Sequence, residues 1–223
     1  MSNMSKLARF TVVPVAAVAA IGLASPAAFA ASSYNLSAGS AAAGSTVAFG
    51  AQGTGIVFND ETAGTSVTCT GSSITGSAVA GEGLSGTGIA TLDGAGVSFT
   101  DCTGPAGIEF TITGSGTWSL DATGDTDANG STAGTISGIS ASASGSGCSF
   151  DATGSVAGAY ANGDSSGTLT LPGSEPTLTL SNVSGFMCAT AGIANGDQVS
   201  FAATYVVTAN DAANNPIQVT SNP

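Results

Sequence analysis

The chain has no histidine, and its 223 residues carry two basic side chains against 14 acidic ones. The basic pair is Lys6 and Arg9, so from residue 10 onward no side chain is positively charged. Recognition of phosphate rests on Lys and Arg, and nucleic acid and anionic lipid are therefore not expected partners. A Ser-His-Asp or Cys-His arrangement lacks its base, a Schiff-base lysine is missing, and zinc loses its imidazole ligands. The missing lysine also excludes Lys-Asn isopeptide crosslinks. Hydrolysis by two carboxylates survives formally, because it needs only Asp or Glu about 5 to 9.5 Å apart. Glu82, Asp101, Glu109 and Asp151 are its candidates by default only. Aromatic platforms for a sugar are scarce, with one Trp and three Tyr. Trp118 shares a face with Leu120 and reads as core, so a non-enzymatic protein is expected.

Helix-forming stretches are also lacking. No window sustains an i, i+3, i+4, i+7 apolar pattern, and the 33 glycines would weaken a helix at every turn. What is present instead is a series of short β-branched and aromatic runs separated by Gly, Ser, Thr, Asn and Asp. The clearest is Ile108, Phe110 and Ile112 alternating with Glu109, Thr111 and Thr113, the pattern of a half-buried strand. Further strands are expected at 74–80, 87–92, 95–101, 116–121, 133–144, 147–152, 154–160, 167–171, 177–183, 198–208 and 216–220. Asp93-Gly94, Asn129-Gly130, Asn162-Gly163 and Asn195-Gly196 tolerate positive φ and suit hairpin turns.

Residues 1–30 read as a signal peptide: Lys6 and Arg9, an apolar run from Thr11 to Leu23, then Ala28-Phe29-Ala30, with cleavage expected after Ala30. The apolar run is shorter than the about 20 residues of a spanning helix, so no membrane span is expected after its removal. Residues 31–45 are Ala, Ser and Gly with Tyr34, a flexible leader. Residues 46–223 form a single domain. Export makes Cys69, Cys102, Cys148 and Cys188 candidates for two disulfides. Three pairings are possible. Val97–Ile108, centred on Cys102, resembles Val183–Ile193, centred on Cys188, and each has another cysteine upstream, which favours Cys69 with Cys102 and Cys148 with Cys188. Two such Cys-bounded halves suit an antiparallel β-sandwich, with 133–144 crossing between them.

Asp125-Thr-Asp127-Ala-Asn129-Gly130 matches the start of a calcium loop, with oxygen ligands at alternate positions and glycine at the turn. Its twelfth position is Ile136, where a bidentate Glu would stand, so another carboxylate such as Asp121 would have to complete a calcium site. The competing role is a solvated hairpin loop. Leu171-Pro172-Gly173-Ser174-Glu175 is not a cell-wall sorting signal. Lysine is absent from the strand-rich body and proline sparse, so sheet edges are open to self-association by strand addition.

Ser66-Val-Thr-Cys-Thr-Gly, Val97-Ser-Phe-Thr-Asp-Cys-Thr-Gly-Pro, Gly134-Thr-Ile-Ser-Gly-Ile, Gly158-Ala-Tyr-Ala-Asn-Gly and Asn195-Gly-Asp-Gln-Val-Ser-Phe together resemble small secreted proteins of actinobacteria. More remotely they are similar to the exported protein activators of alkane oxidation of pseudomonads. The resemblance spans most of residues 45–208 and implies an extracellular accessory or surface-adhesive role without catalytic residues. The expected function is that of a secreted or cell-surface-associated structural protein, acting in matrix formation, adhesion or contact with apolar material. The alternative is an extracellular module binding a small ligand or glycan, with calcium as its one candidate cofactor.

Overall fold

The structure is a computed structural model and describes residues 33–222; the expected signal peptide lies outside the described residues. In chain order the strands are β1 (Ser33–Ala38), β2 (Thr46–Asp60), β3 (Thr65–Cys69), β4 (Gly71–Val79), β5 (Gly81–Leu84), β6 (Ala90–Thr100), β7 (Cys102–Thr103), β8 (Glu109–Gly114) and β9 (Thr117–Thr126). They continue with β10 (Ser131–Gly145), β11 (Cys148–Ala161), β12 (Gly167–Pro172), β13 (Leu178–Ser184), helix α1 (Phe186–Ala191), β14 (Gln198–Ala209) and β15 (Ile217–Asn222). The protein is all-β and its ladders are antiparallel, as the alternating runs predict.

The pairings of the larger sheet return to their starting strand. Several strands run on from one another after a short break: β3 into β4 at Thr70, β6 into β7 at Asp101, β8 into β9, and β12 into β13. Counting each such run once, β2, β3–β4, β6–β7, β8–β9, β10, β11, β12–β13 and β14 make eight staves. Each pairs with the next in the chain, and β14 pairs with β2. This is an up-and-down barrel, the closure that removes sheet edges. The two stacked sheets expected from the sequence are thus replaced by one sheet closed on itself. Segment 133–144 is not a crossing connection: it belongs to β10, bonded on both flanks.

The barrel has two different ends. Both disulfides lie at one end: Cys69–Cys102 ties the second stave to the third, and Cys148–Cys188 ties β11 to α1, in the pairing that the repeated blocks favour. The other end is covered by a three-stranded sheet, β15-β1-β5. Residues 31–45, expected to be a flexible leader, therefore contain a strand. Tyr34, Leu36 and Ala38 turn one apolar face to the barrel and are buried, and β1 pairs along its length with β15. Side chains fasten this lid. Asn162 gives its Nδ2–H to the Val219 carbonyl at 2.8 Å and accepts the Val219 N–H on Oδ1 at 2.8 Å; the Tyr160 hydroxyl donates to the Ile217 carbonyl at 2.8 Å.

Three local expectations differ. Asp93-Gly94 is not a turn but part of β6. An added Cβ on Gly94 would come within 2.3 Å of the Ser115 carbonyl oxygen, so the glycine serves a close approach of two staves. Segments 147–152 and 154–160 are one strand, β11. Helix α1 occupies a stretch where no helix is expected; it is a single short piece closed by Gly192 at φ 79° and held by the Cys188 bridge.

Inside, Ile108, Phe110 and Ile112 are buried while Glu109, Thr111 and Thr113 are exposed, in keeping with the alternation. Large and small residues face each other. Tyr205 is fully buried, its hydroxyl donating to Ser72 Oγ at 3.0 Å, and its ring lies over Gly53, its partner in register. A Cβ on Gly53 would sit 2.4 Å from that ring. Gly53→Val is therefore expected to lower stability by about 1–3 kcal/mol through overpacking. Gly71→Ala, where the added carbon comes no closer than 3.8 Å to its neighbours, serves as control and should stay near wild type in urea denaturation.

Candidate functional site

Two apolar cavities lie along the barrel axis and share the walls formed by Ile74 and Ile136. The one toward the lid has a volume of about 60 Å³ and is closed by Leu36, Ile217 and Val219 of the small sheet. The one toward the disulfides has a volume of about 70 Å³, and Thr65, Ser66, Pro105 and Ile193 from that end line it. Its inner wall includes Trp118, whose indole N–H donates to the Ser115 carbonyl at 2.9 Å. Phe58, Phe99 and Phe201 line it as a group: Phe58 stacks on Phe201 at 4.5 Å, and Phe99 meets both edge-on.

One charged residue belongs to this wall, Asp60. Its position follows from a bulge. In β2 the buried side chains are Val47, Phe49 and Ala51 and then, after Gly55 at φ 64°, Ile56. Ala202 pairs with Val57 but Thr204 pairs with Thr54, so β2 carries one extra residue between these points. The extra residue reverses the alternation. Phe58 and Asp60 consequently lie on the inner face.

Asp60 is 7% exposed. Its Oδ1 accepts the N–H groups of Thr62 and Ala63 at 3.0 and 2.9 Å, while Oδ2 is buried without a hydrogen-bond partner. Asp197 stands beside it, two residues before Val199, which is the register partner of Asp60. Asp197 is 5% exposed, and its Oδ2 accepts the Ala194 N–H at 2.6 Å. Next to the pair, Ser200 donates to Glu61 Oε1 at 2.8 Å. Burial raises the carboxyl pKa of Asp60 above its usual value; the amides of Ala63 and Thr62 pull it down, and the charge and hydrogen bonding of Asp197 push it up further. Burial likewise raises the Tyr205 phenol to about 12.

The residues that the sequence offered for chemistry are not gathered at this cavity. Glu82 on β5, Asp101 at the break between β6 and β7, and Glu109 on β8 are exposed. Asp151 lies on β11 and accepts from Ser142 and Asn182 at 2.6 and 2.7 Å, which holds its pKa below the usual value. Asp121 is held low as well: burial works against it, but hydrogen bonds from Ser119, Ser137 and the Gly88 N–H prevail. In the calcium-like stretch, Asp127 Oδ1 accepts the N–H groups of Asn129 and Ser131 at 2.8 and 2.9 Å, closing the β9–β10 hairpin. Asp125 lies two residues earlier on the same exposed side. Among the described residues, no three His, Cys, Asp or Glu side chains cluster as a metal site, and no helix is long and apolar enough to cross a membrane.

No family model, curated protein or solved structure matches the chain.

Asp60 should leave a signature in the pH dependence of stability. Its folded pKa lies above the usual 3.8, so the folded state holds the proton more tightly than the unfolded chain. The associated stability is present below that value and is lost as pH rises through the folded pKa. Asp60→Asn removes this loss while leaving a side-chain oxygen for Thr62 and Ala63. Its stability relative to wild type is expected to increase as pH rises from the usual 3.8 through the higher folded pKa of Asp60 and then to level off, measured by urea unfolding as a function of pH. A difference independent of pH would contradict the assignment.

Proposed function

We propose that this chain is a non-enzymatic, secreted binding barrel for a small, largely apolar molecule. The supporting observation is the apolar cavity at the disulfide end, in a barrel of the strand number that either fills with side chains or holds one small ligand. Two disulfides and the signal-like leader favour an extracellular setting. The resemblance to secreted accessory proteins that meet apolar compounds points in the same direction.

A structural or adhesive role at the cell surface is the second reading, favoured by one observation. Phe186, on α1 beside the Cys148–Cys188 bridge, is 82% exposed, a single apolar contact point at the cavity end of the barrel. Strand addition has less support, since closure leaves the larger sheet without an edge among the described residues and confines open edges to the three-stranded sheet.

Ligand uptake is tested on the exported chain with xenon and short alkanes, which are small enough for a cavity of this scale. Binding should change the emission of Trp118 and raise the melting temperature. At a ligand concentration one hundred times Kd the stabilisation should be about 2.7 kcal/mol. Ala143→Phe, which fills the same cavity, should abolish the response while the variant remains folded by circular dichroism. Unchanged emission and melting temperature with every compound would refute the binding reading.

A further inference from the structure

Asp60 and Asp197 pose a charge problem that the chain cannot solve with its own side chains. Both are at least nine-tenths buried, and from residue 10 onward there is no Lys, Arg or His to compensate them. Ordinary buried carboxylates are paired or fully hydrogen-bonded. Here the second oxygen of Asp60 has no donor, and the neighbouring carboxyl of Asp197 adds charge of the same sign. Asp60 lines an apolar cavity whose wall also carries Phe58 and Phe201, and Asp197 lies beside Asp60 outside that lining.

We propose that the disulfide-end cavity takes a small primary ammonium compound, with its apolar tail inside the barrel and its ammonium group at Asp60 and Asp197. This inference rests on the binding reading above and specifies the polar end of the ligand. An ammonium supplies three donors and one positive charge, enough to engage the free Asp60 oxygen and to compensate the carboxylate pair. A hydroxyl would satisfy the oxygen but leave the charge uncompensated. A carboxylate or phosphate would be repelled by Asp60, Asp197 and Glu61. A metal ion lacks a cluster of three acidic, Cys or His ligands among the described residues.

The test compares n-butylammonium, 1-butanol and butyrate, matched in tail length, on the exported chain at low ionic strength, using Trp118 emission and isothermal titration calorimetry. Butylammonium should bind more tightly than 1-butanol by at least about tenfold, the scale of a hydrogen bond to a charged group, and butyrate should not bind. Asp60→Asn and, separately, Asp197→Asn should remove most of the ammonium's advantage, read as the ratio of the 1-butanol and butylammonium dissociation constants within each variant. Equal affinity for the alcohol and the ammonium, or ammonium binding unaffected by both substitutions, overturns the proposal while the binding barrel stands. Failure of all three compounds and of the neutral probes overturns both.

Discussion

The pairing of β14 with β2 is the contact on which the rest depends. It joins the last stave to the first, from Phe49 opposite Ala209 to Asp60 opposite Val199. Without it the eight staves would be an open, glycine-rich sheet with two long edges and an apolar face turned to water. With it, every inward side chain of the staves gains a neighbour across the barrel. The contact is distant in sequence, so the chain must lose much conformational freedom before closure is rewarded. The two disulfides restrict the unfolded chain at the same end as the cavity, each by about 4 kcal/mol on the loop-entropy model. The same ladder also contains the bulge that turns Asp60 inward, so closure and site geometry are settled by one pair of strands.

A body without cations must manage its acids by other means. Most point outward into water. Asp121, Asp127 and Asp151 are held in the ionised form by hydroxyl, amide and backbone N–H donors, which do the work that Lys and Arg do elsewhere. The abundance of Ser, Thr and Asn on the outer face thus has an electrostatic use besides solubility. Asp60 is the exception, because its environment supplies donors to one oxygen only.

How much of this was legible in the sequence depended on distance along the chain. The strand carrying Ile108, Phe110 and Ile112 could be read because alternation is local. The disulfide pairing followed from two similar Cys-containing blocks. Closure could not be read, since a sandwich and an up-and-down barrel use the same alternating strands and differ in one non-local pairing. Asp60 was missed for a narrower reason: strict alternation from Val47 onward puts it outside, and a single glycine bulge reverses that. Asp93-Gly94 resembled a turn because its dipeptide tolerates one, whereas the close approach of Ser115 keeps it in a strand. Tyr34 and Leu36 carried the only hint that residues 31–45 held a strand, and the strand forms because β15, from the far end of the chain, pairs with it.

The lid also gives the barrel a mechanical weak side. Ser33 pairs with Asn222, so the two ends of the described chain leave from adjacent points on neighbouring antiparallel strands. A force applied between them loads the β1–β15 ladder one hydrogen-bonded pair at a time, as a zip opens, whereas the long staves lie beyond that ladder. Tension on the chain ends would therefore peel the small sheet first and uncover the lid-side cavity, while the cysteine-bound end kept its shape.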